Sequence, residues 1–198
     1  MSKAVRLEWE LPDALYDAVI GDEQKAADEA KQALVLDWVR LGRVSVRRGA
    51  ELLGLGYRSF LEVLAAHRVP ICEYEEGWLD SELEVPGSNR ARLSPIGDQT
   101  LLARLRRPTL SPADTEVVAC AIENGHATVI TDDRAVRRVC LEEHLPLTGT
   151  VGLLVRARLD GKIDALKPLL DQLIAAGFRL DPAGSAYRDA LARVGEQP

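Results

Sequence analysis

Apolar positions along the chain recur first at a strand-like period and then at a helical one, and the changes of period mark the predicted elements. Arg6–Leu11 alternates polar and apolar side chains and stops at Pro12, which predicts a short strand followed by a helix over Asp13–Val19. From Asp28 to Leu41 the spacing becomes helical, with Ala33, Leu34, Leu36, Val39 and Leu41 on one face. Ser45 then caps a short helix whose Ala50, Leu52 and Leu53 face inward. Gly54-Leu55-Gly56 breaks that helix, and Tyr57–His67 forms the next, with Phe60, Leu61, Val63 and Leu64 as its apolar face. Two short helices around a glycine turn predict a helix-turn-helix, with the Asp28–Leu41 segment burying part of the pair.

Beyond Leu110 helix and strand alternate. Ser111-Pro112-Ala113-Asp114 starts a helix that runs to Asn124-Gly125, and Ala127–Thr131 is a short β-branched strand ending in Asp132-Asp133. A helix over Ala135–Glu143 follows, so the C-terminal part is an α/β layer with a small parallel sheet. Gln99–Arg107 predicts a short helix, as does Val151–Leu159. Ile163–Ala176 predicts one interrupted at Pro168, Gly177–Leu180 a strand or extended tail, and Ser185–Val194 a final helix lying on the surface.

Charge changes this picture locally. The chain of 198 residues carries a net charge of -6, yet Arg40–Arg68 holds six arginines against two acids. Glu73–Glu84 holds six acids and no base, which fits a solvated connector or a segment packed on the basic helices. It leads into the turn-rich Val85–Arg90. The predicted organisation is therefore a strand and helix-turn-helix domain over 1–84, a linker with a short helix over 85–109, and an α/β domain over 110–198.

Hydrophobic residues make up 46% of the chain, no run approaches a membrane span, and the start MSKAVRLEWEL lacks a secretory apolar stretch. A cytoplasmic protein without membrane contact is expected. Cys72, Cys120 and Cys140, with His67, His126 and His144, do not match a structural zinc pattern and read as buried thiols.

Two groups of residues carry candidate chemistry. On the second helix of the pair Arg58 is placed to read a guanine edge, and Tyr57 and Ser59 to bond phosphate or base. Arg47 and Arg48 would straddle the backbone. The competing reading is a solvated basic face. In the C-terminal part Asp132 and Asp133 end a strand, while Asp114 and Glu116 begin the preceding helix. Acids so placed are suited to Mg2+ or Mn2+ and phosphodiester hydrolysis, and equally to capping helices.

Residues 5–84, through LEWELPDALYDAV and RLGRVSVRRGAELLGLGYRSFLEVLAAHRVPI, resemble a family of small uncharacterised proteins regarded as antitoxins and often encoded beside PIN-domain toxins. The resemblance implies binding to double-stranded operator DNA and repression of a toxin–antitoxin operon. A lone N-terminal strand has bare edges, which suits a homodimer or higher oligomer. Residues 110–195, through LSPADTEVVACAIENG, VITDDRAVRRV, LPLTGTVGLLVRARLDGKI and LLDQLIAAGFRL, are similar to the C-terminal part of a PIN-like family related to VapC ribonucleases. That likeness implies clustered acids and a divalent metal. Glu116 matches the family's helix acid, with Asp114 its neighbour, and Asp132 or Asp133 matches the acid after the later strand.

One departure ranks these expectations. A PIN domain opens on a strand carrying an essential aspartate, and between Arg90 and Leu110 no β-branched strand ends in one. Asp98 is the only aspartate there. The expected fold is α/β with an incomplete PIN-like second half. The expected function is a non-catalytic DNA-binding regulator, antitoxin-like, needing no cofactor, with a PIN-domain toxin as a further partner. The alternatives are a Mg2+- or Mn2+-dependent ribonuclease completed by Asp98 or a partner chain, and a toxin-binding protein that touches no nucleic acid.

Overall fold

The computed structural model describes residues 8, 12, 16, 20, 22–70, 78–83 and 96–198. They divide into two units, Met1–Leu34 and Val35–Pro198. Apart from Glu8 and Tyr16, the predicted strand Arg6–Leu11 and helix Asp13–Val19 lie outside the described residues, as do Cys72, the start of the acidic run and the turn-rich Val85–Arg90. In the first unit the Lys25 amide donates to Asp22 Oδ1 at 3.0 Å and opens helix α1 (Glu23–Arg40). The helix starts ahead of Asp28 because Glu23, Gln24 and Lys25 are good helix formers that need no apolar face.

In the second unit the last turns of α1 bury Val35, Leu36 and Val39 against α2 (Val46–Leu53) and α3 (Tyr57–Ala66). Ser45 caps α2, its Oγ accepting the Arg48 amide at 3.1 Å. Gly54 ends α2 at φ 67° and ψ 24°, a left-handed conformation that a side chain resists. Phe60 and Leu64 of α3 are fully buried with Val46 and Ala50. Gly49 makes the close packing possible, since a Cβ there would lie 2.8 Å from Val39 Cγ2 and 2.9 Å from Phe60 Cε1.

The C-terminal part is built from α4 (Trp78–Leu83), α5 (Gln99–Leu105), α6 (Pro112–Glu123), β1 (Val129–Ile130), α7 (Arg134–Glu142), β2 (Leu147–Thr148), α8 (Thr150–Leu159), α9 (Lys167–Ala175) and α10 (Ser185–Arg193). β1 and β2 pair in parallel, Val129 opposite Leu147 and Ile130 opposite Thr148, with α7 as the crossover. The fold is thus a helical N-terminal region and an α/β region around a two-stranded parallel sheet. One core joins α5, α6, β1, α7 and β2 around Val118, Ala119, Val136 and Cys140. Another joins α4, α8, α9 and α10 around Val155, Leu170, Tyr187 and Leu191.

Several expectations are corrected here. Pro168 stands in the first turn of α9, where its missing N–H costs nothing, so it starts a helix at Lys167 and does not interrupt a longer one. Gly177–Leu180 forms no strand; the Phe178 amide turns back to Leu173 O at 2.8 Å and Leu180 enters the core. Helix α10 is not surface-lying, since Tyr187, Ala190 and Leu191 are buried. The described end of the acidic run is not a solvated connector, for Trp78 and Leu79 are buried with α8 and α10. No helix among the described residues is long and apolar enough to cross a membrane.

Candidate functional site

The strand-end and helix-start aspartates are held by helix N-termini. Asp133 Oδ1 accepts the Ala135 and Val136 amides at 2.9 and 3.3 Å and so caps α7. Its Oδ2 accepts the Val46 amide, the first of α2, at 2.6 Å. Asp132 accepts the Thr150 amide at 2.9 Å and the Thr150 hydroxyl at 2.5 Å, at the start of α8. Asp114 forms a capping box with Ser111 at the start of α6, and its Oδ2 also accepts the Ser45 hydroxyl at 2.7 Å. Unpaired N–H groups and the positive end of the helix dipole make each N-terminus a natural seat for a carboxylate.

Enclosure has an electrostatic cost. Burial pushes the Asp133 carboxyl up to about 6, against the lowering effect of its bonds from Val46, Val136 and Ala135. The Asp114 charge adds to the rise. The same charges reach the helix pair. Partial burial raises the Tyr57 phenol, and Asp133, Asp114 and Asp132 raise it further, while Arg47 opposes them from 4.8 Å over the ring.

Opposite charges hold the C-terminal ends of α1 and α3. Arg138 donates to Gly42 O at 2.7 Å, and Arg134 to Arg40 O, at the C-terminal end of α1. Arg179 donates to Leu64 O and Ala65 O at 2.6 and 2.7 Å, at the C-terminal end of α3. Acids therefore meet the start of α2 and arginines meet the ends of α1 and α3, as the helix dipoles require.

A further carboxylate lies deeper. Glu82, on α4, is 4% exposed, pairs with Arg137 at 2.5 Å, and accepts from the Thr148 hydroxyl and the Gly149 amide at 3.0 and 2.8 Å. Gly152 leaves room for it, since any Cβ there would collide with Oε2. A buried charge of this kind persists only where paired and hydrogen-bonded.

The sequence-predicted residues are thus partly brought together. Arg47, Arg58 and Ser59 are exposed on the helix pair, with Tyr57 beside them. Arg48 is spoken for, donating to Pro108 O at 3.1 Å and pairing with Glu51 at 2.7 Å. Glu116 is exposed on α6. Asp98 caps α5, with its own amide held by Glu123 at 2.6 Å. Glu123 ends α6 and Asp114 begins it, which at a helical rise of 1.5 Å per residue separates them by about 13 Å.

The candidate metal carboxylates are engaged as helix caps and anchors. Both oxygens of Asp132 and of Asp133 accept from N–H or O–H donors, and the same Asp114 Oδ2 takes the Ser45 hydroxyl, the Ser111 hydroxyl and the Ser111 amide. Among the described residues no three His, Cys, Asp or Glu side chains are grouped to hold one ion. Sequence reasoning missed Val46, Arg138, Arg179 and Glu82. An aspartate before a helix announces a cap, but a second helix bonded to the same carboxylate leaves no local signal.

Residues 3–87 match an uncharacterised protein family, UPF0175. No match was found among curated proteins or solved structures. Residues 79–196, more than half of the chain and including most of α4 with Glu82, match the family described as PIN domain, DUF3368, and the chain belongs to that family.

Proposed function

We propose that this chain is a non-catalytic DNA-binding regulator of the toxin–antitoxin type, whose PIN-like half is a mount for the helix pair. The observation that carries the reading is the double use of Asp133, which caps α7 with one oxygen and fastens α2 through the Val46 amide with the other. These carboxylates, of a kind a cation could also use, accept from helix amides. The helix pair keeps its own core and turns Arg47, Arg58 and Ser59 to solvent, in a segment whose charge is opposite to that of the whole chain.

In this reading Arg58 and Ser59 meet base edges or phosphates of double-stranded operator DNA, and Arg47 meets the backbone. The protein acts as a homodimer or higher oligomer, which matches a two-fold operator. A PIN-domain toxin is its second partner. Fluorescence anisotropy with the chain's own upstream DNA tests the assignment. Arg58→Ala costs about 1–3 kcal/mol of discrimination between specific and unrelated DNA, and Arg47→Ala weakens both and flattens the salt slope. Unchanged affinity in the double variant would remove the helix pair from the interface. Family membership favours a metal-dependent ribonuclease as the second reading. RNA cleavage with Mn2+ that disappears in Asp132→Asn and Glu116→Gln would establish it in place of the first.

A further inference from the structure

Arg179 is a residue of the PIN-like half that touches α3 itself. Its Nη2 donates to Leu64 O at 2.6 Å and to Ala65 O at 2.7 Å, across the last turn of the helix. The same two carbonyls accept the Val69 and Arg68 amides at 2.9 and 3.1 Å, so the end of α3, Arg68 and Arg179 share one hydrogen-bonded knot. Arg179 is firmly seated, because Phe178 and Leu180 on either side of it pack into the core around Leu170 and Tyr187.

Two arginines thus meet without an acid to neutralise them. Arg68 is exposed and Arg179 half-buried, and neither guanidinium has a carboxylate partner among the described residues. Arg40, Arg48, Arg158 and Arg193, by contrast, each pair with an acid. Burial, and then the Arg68 charge, hold the Arg179 guanidinium below its usual value. A brace for the C-terminal end of α3 needs only the Nη2 bonds and one charge. It leaves Nε and Nη1 of Arg179 without a partner among the described residues, and it leaves a second arginine beside the first unexplained. Arg68 also stands at φ 53°, a left-handed conformation that glycine or asparagine adopts at less cost. A phosphate fits here, since it offsets the repulsion between the two charges and matches the free edge of a guanidinium fork.

Position selects the phosphate. The ten residues of α3 span about 15 Å, and the major groove of DNA is about 12 Å wide. With Arg58 and Ser59 in the first turn over base edges, a helix crossing the groove carries its far end to the flanking phosphate strand. Resting on the DNA-binding reading, we infer that Arg68 and Arg179 form one phosphate clamp on the duplex backbone, so that the PIN-like half contacts DNA directly.

Salt-dependent anisotropy with the full chain tests the clamp. Arg68→Gly removes one charge and suits the left-handed backbone, while Arg179→Gln removes the other and keeps an amide donor for the α3 carbonyls. Each weakens binding to the upstream and to unrelated duplex by a common factor, about fivefold at about 0.15 M salt, and lowers the salt slope by about 0.9. Discrimination between the duplexes is unchanged. In a scan of duplexes each carrying a single neutral methylphosphonate, one position weakens the wild type and leaves the double variant unaffected. Unchanged affinity and slope in both variants, with Arg58→Ala still losing discrimination, would overturn the clamp and leave the DNA-binding reading standing. Weaker binding by Arg179→Gln alone would make Arg179 a brace of α3 only, which also overturns the clamp. Absence of DNA binding by the folded wild type would overturn both.

Discussion

Ser45→Ala should be far more damaging than a serine-to-alanine change at an ordinary helix start. The Ser45 side chain is fully buried, accepts the Arg48 amide at 3.1 Å, and donates to Asp114 Oδ2 at 2.7 Å. Loss of an N-cap costs about 1 kcal/mol. Loss of a hydrogen bond to a carboxylate costs roughly another 1.5–3 kcal/mol. Together these give a loss of about 2.5–4 kcal/mol, and for a chain of this size a fall in Tm of roughly 5–15 °C. Thermal unfolding followed by circular dichroism measures it. A double-mutant cycle with Asp114→Ala isolates the cross-domain bond, with a coupling of at least about 1 kcal/mol expected. A loss under about 0.5 kcal/mol with no coupling would refute the claim that this hydroxyl fastens the helix pair to the α/β half.

Other features make independent predictions. Gly49→Ala forces a methyl against Val39 and Phe60 and costs about 1–3 kcal/mol, read by chemical denaturation; a neutral result would mean the helices do not pack this closely. Asp133 binds its proton more tightly folded than unfolded, so its contribution to stability is greatest below the ordinary carboxylate value of 3.8 and is lost as pH rises to about 6. The full loss is about 3 kcal/mol. Carboxyl NMR should show a midpoint near 6, and a midpoint in the ordinary carboxylate range would contradict the enclosure. Burial pushes the Cys140 thiol up to about 11, so at neutral pH an alkylating reagent should label Cys120 well before Cys140, as mapped by mass spectrometry; equal labelling would mean that this core opens readily.

Local chemistry made much of the fold legible. Ser111-Pro112 and Ser45 are helix starts by residue type alone, and both cap as expected. Glycine at 54 announced the turn after α2 for the same reason, since the left-handed conformation there excludes most side chains. Two-residue strands were harder: β2 is too short to alternate, and only its pairing with β1 defines it. The acidic run misled because Glu82 resembles its solvated neighbours in sequence, and only Arg137, distant along the chain, makes its burial tolerable. Asp132 and Asp133 were visible as a pair with two readings, metal or cap. Their bonds to the Val46 and Thr150 amides carry no local signal, because tertiary structure brings those amides to the carboxylates.

The most direct measurement is a fluorescence-anisotropy titration of the full chain against its own upstream intergenic duplex, with unrelated duplex as competitor and salt varied. The account predicts preferential binding to the upstream duplex that weakens steeply as salt rises, without any requirement for divalent metal. Equal affinity for both duplexes, or no binding by protein shown to be folded, would contradict it.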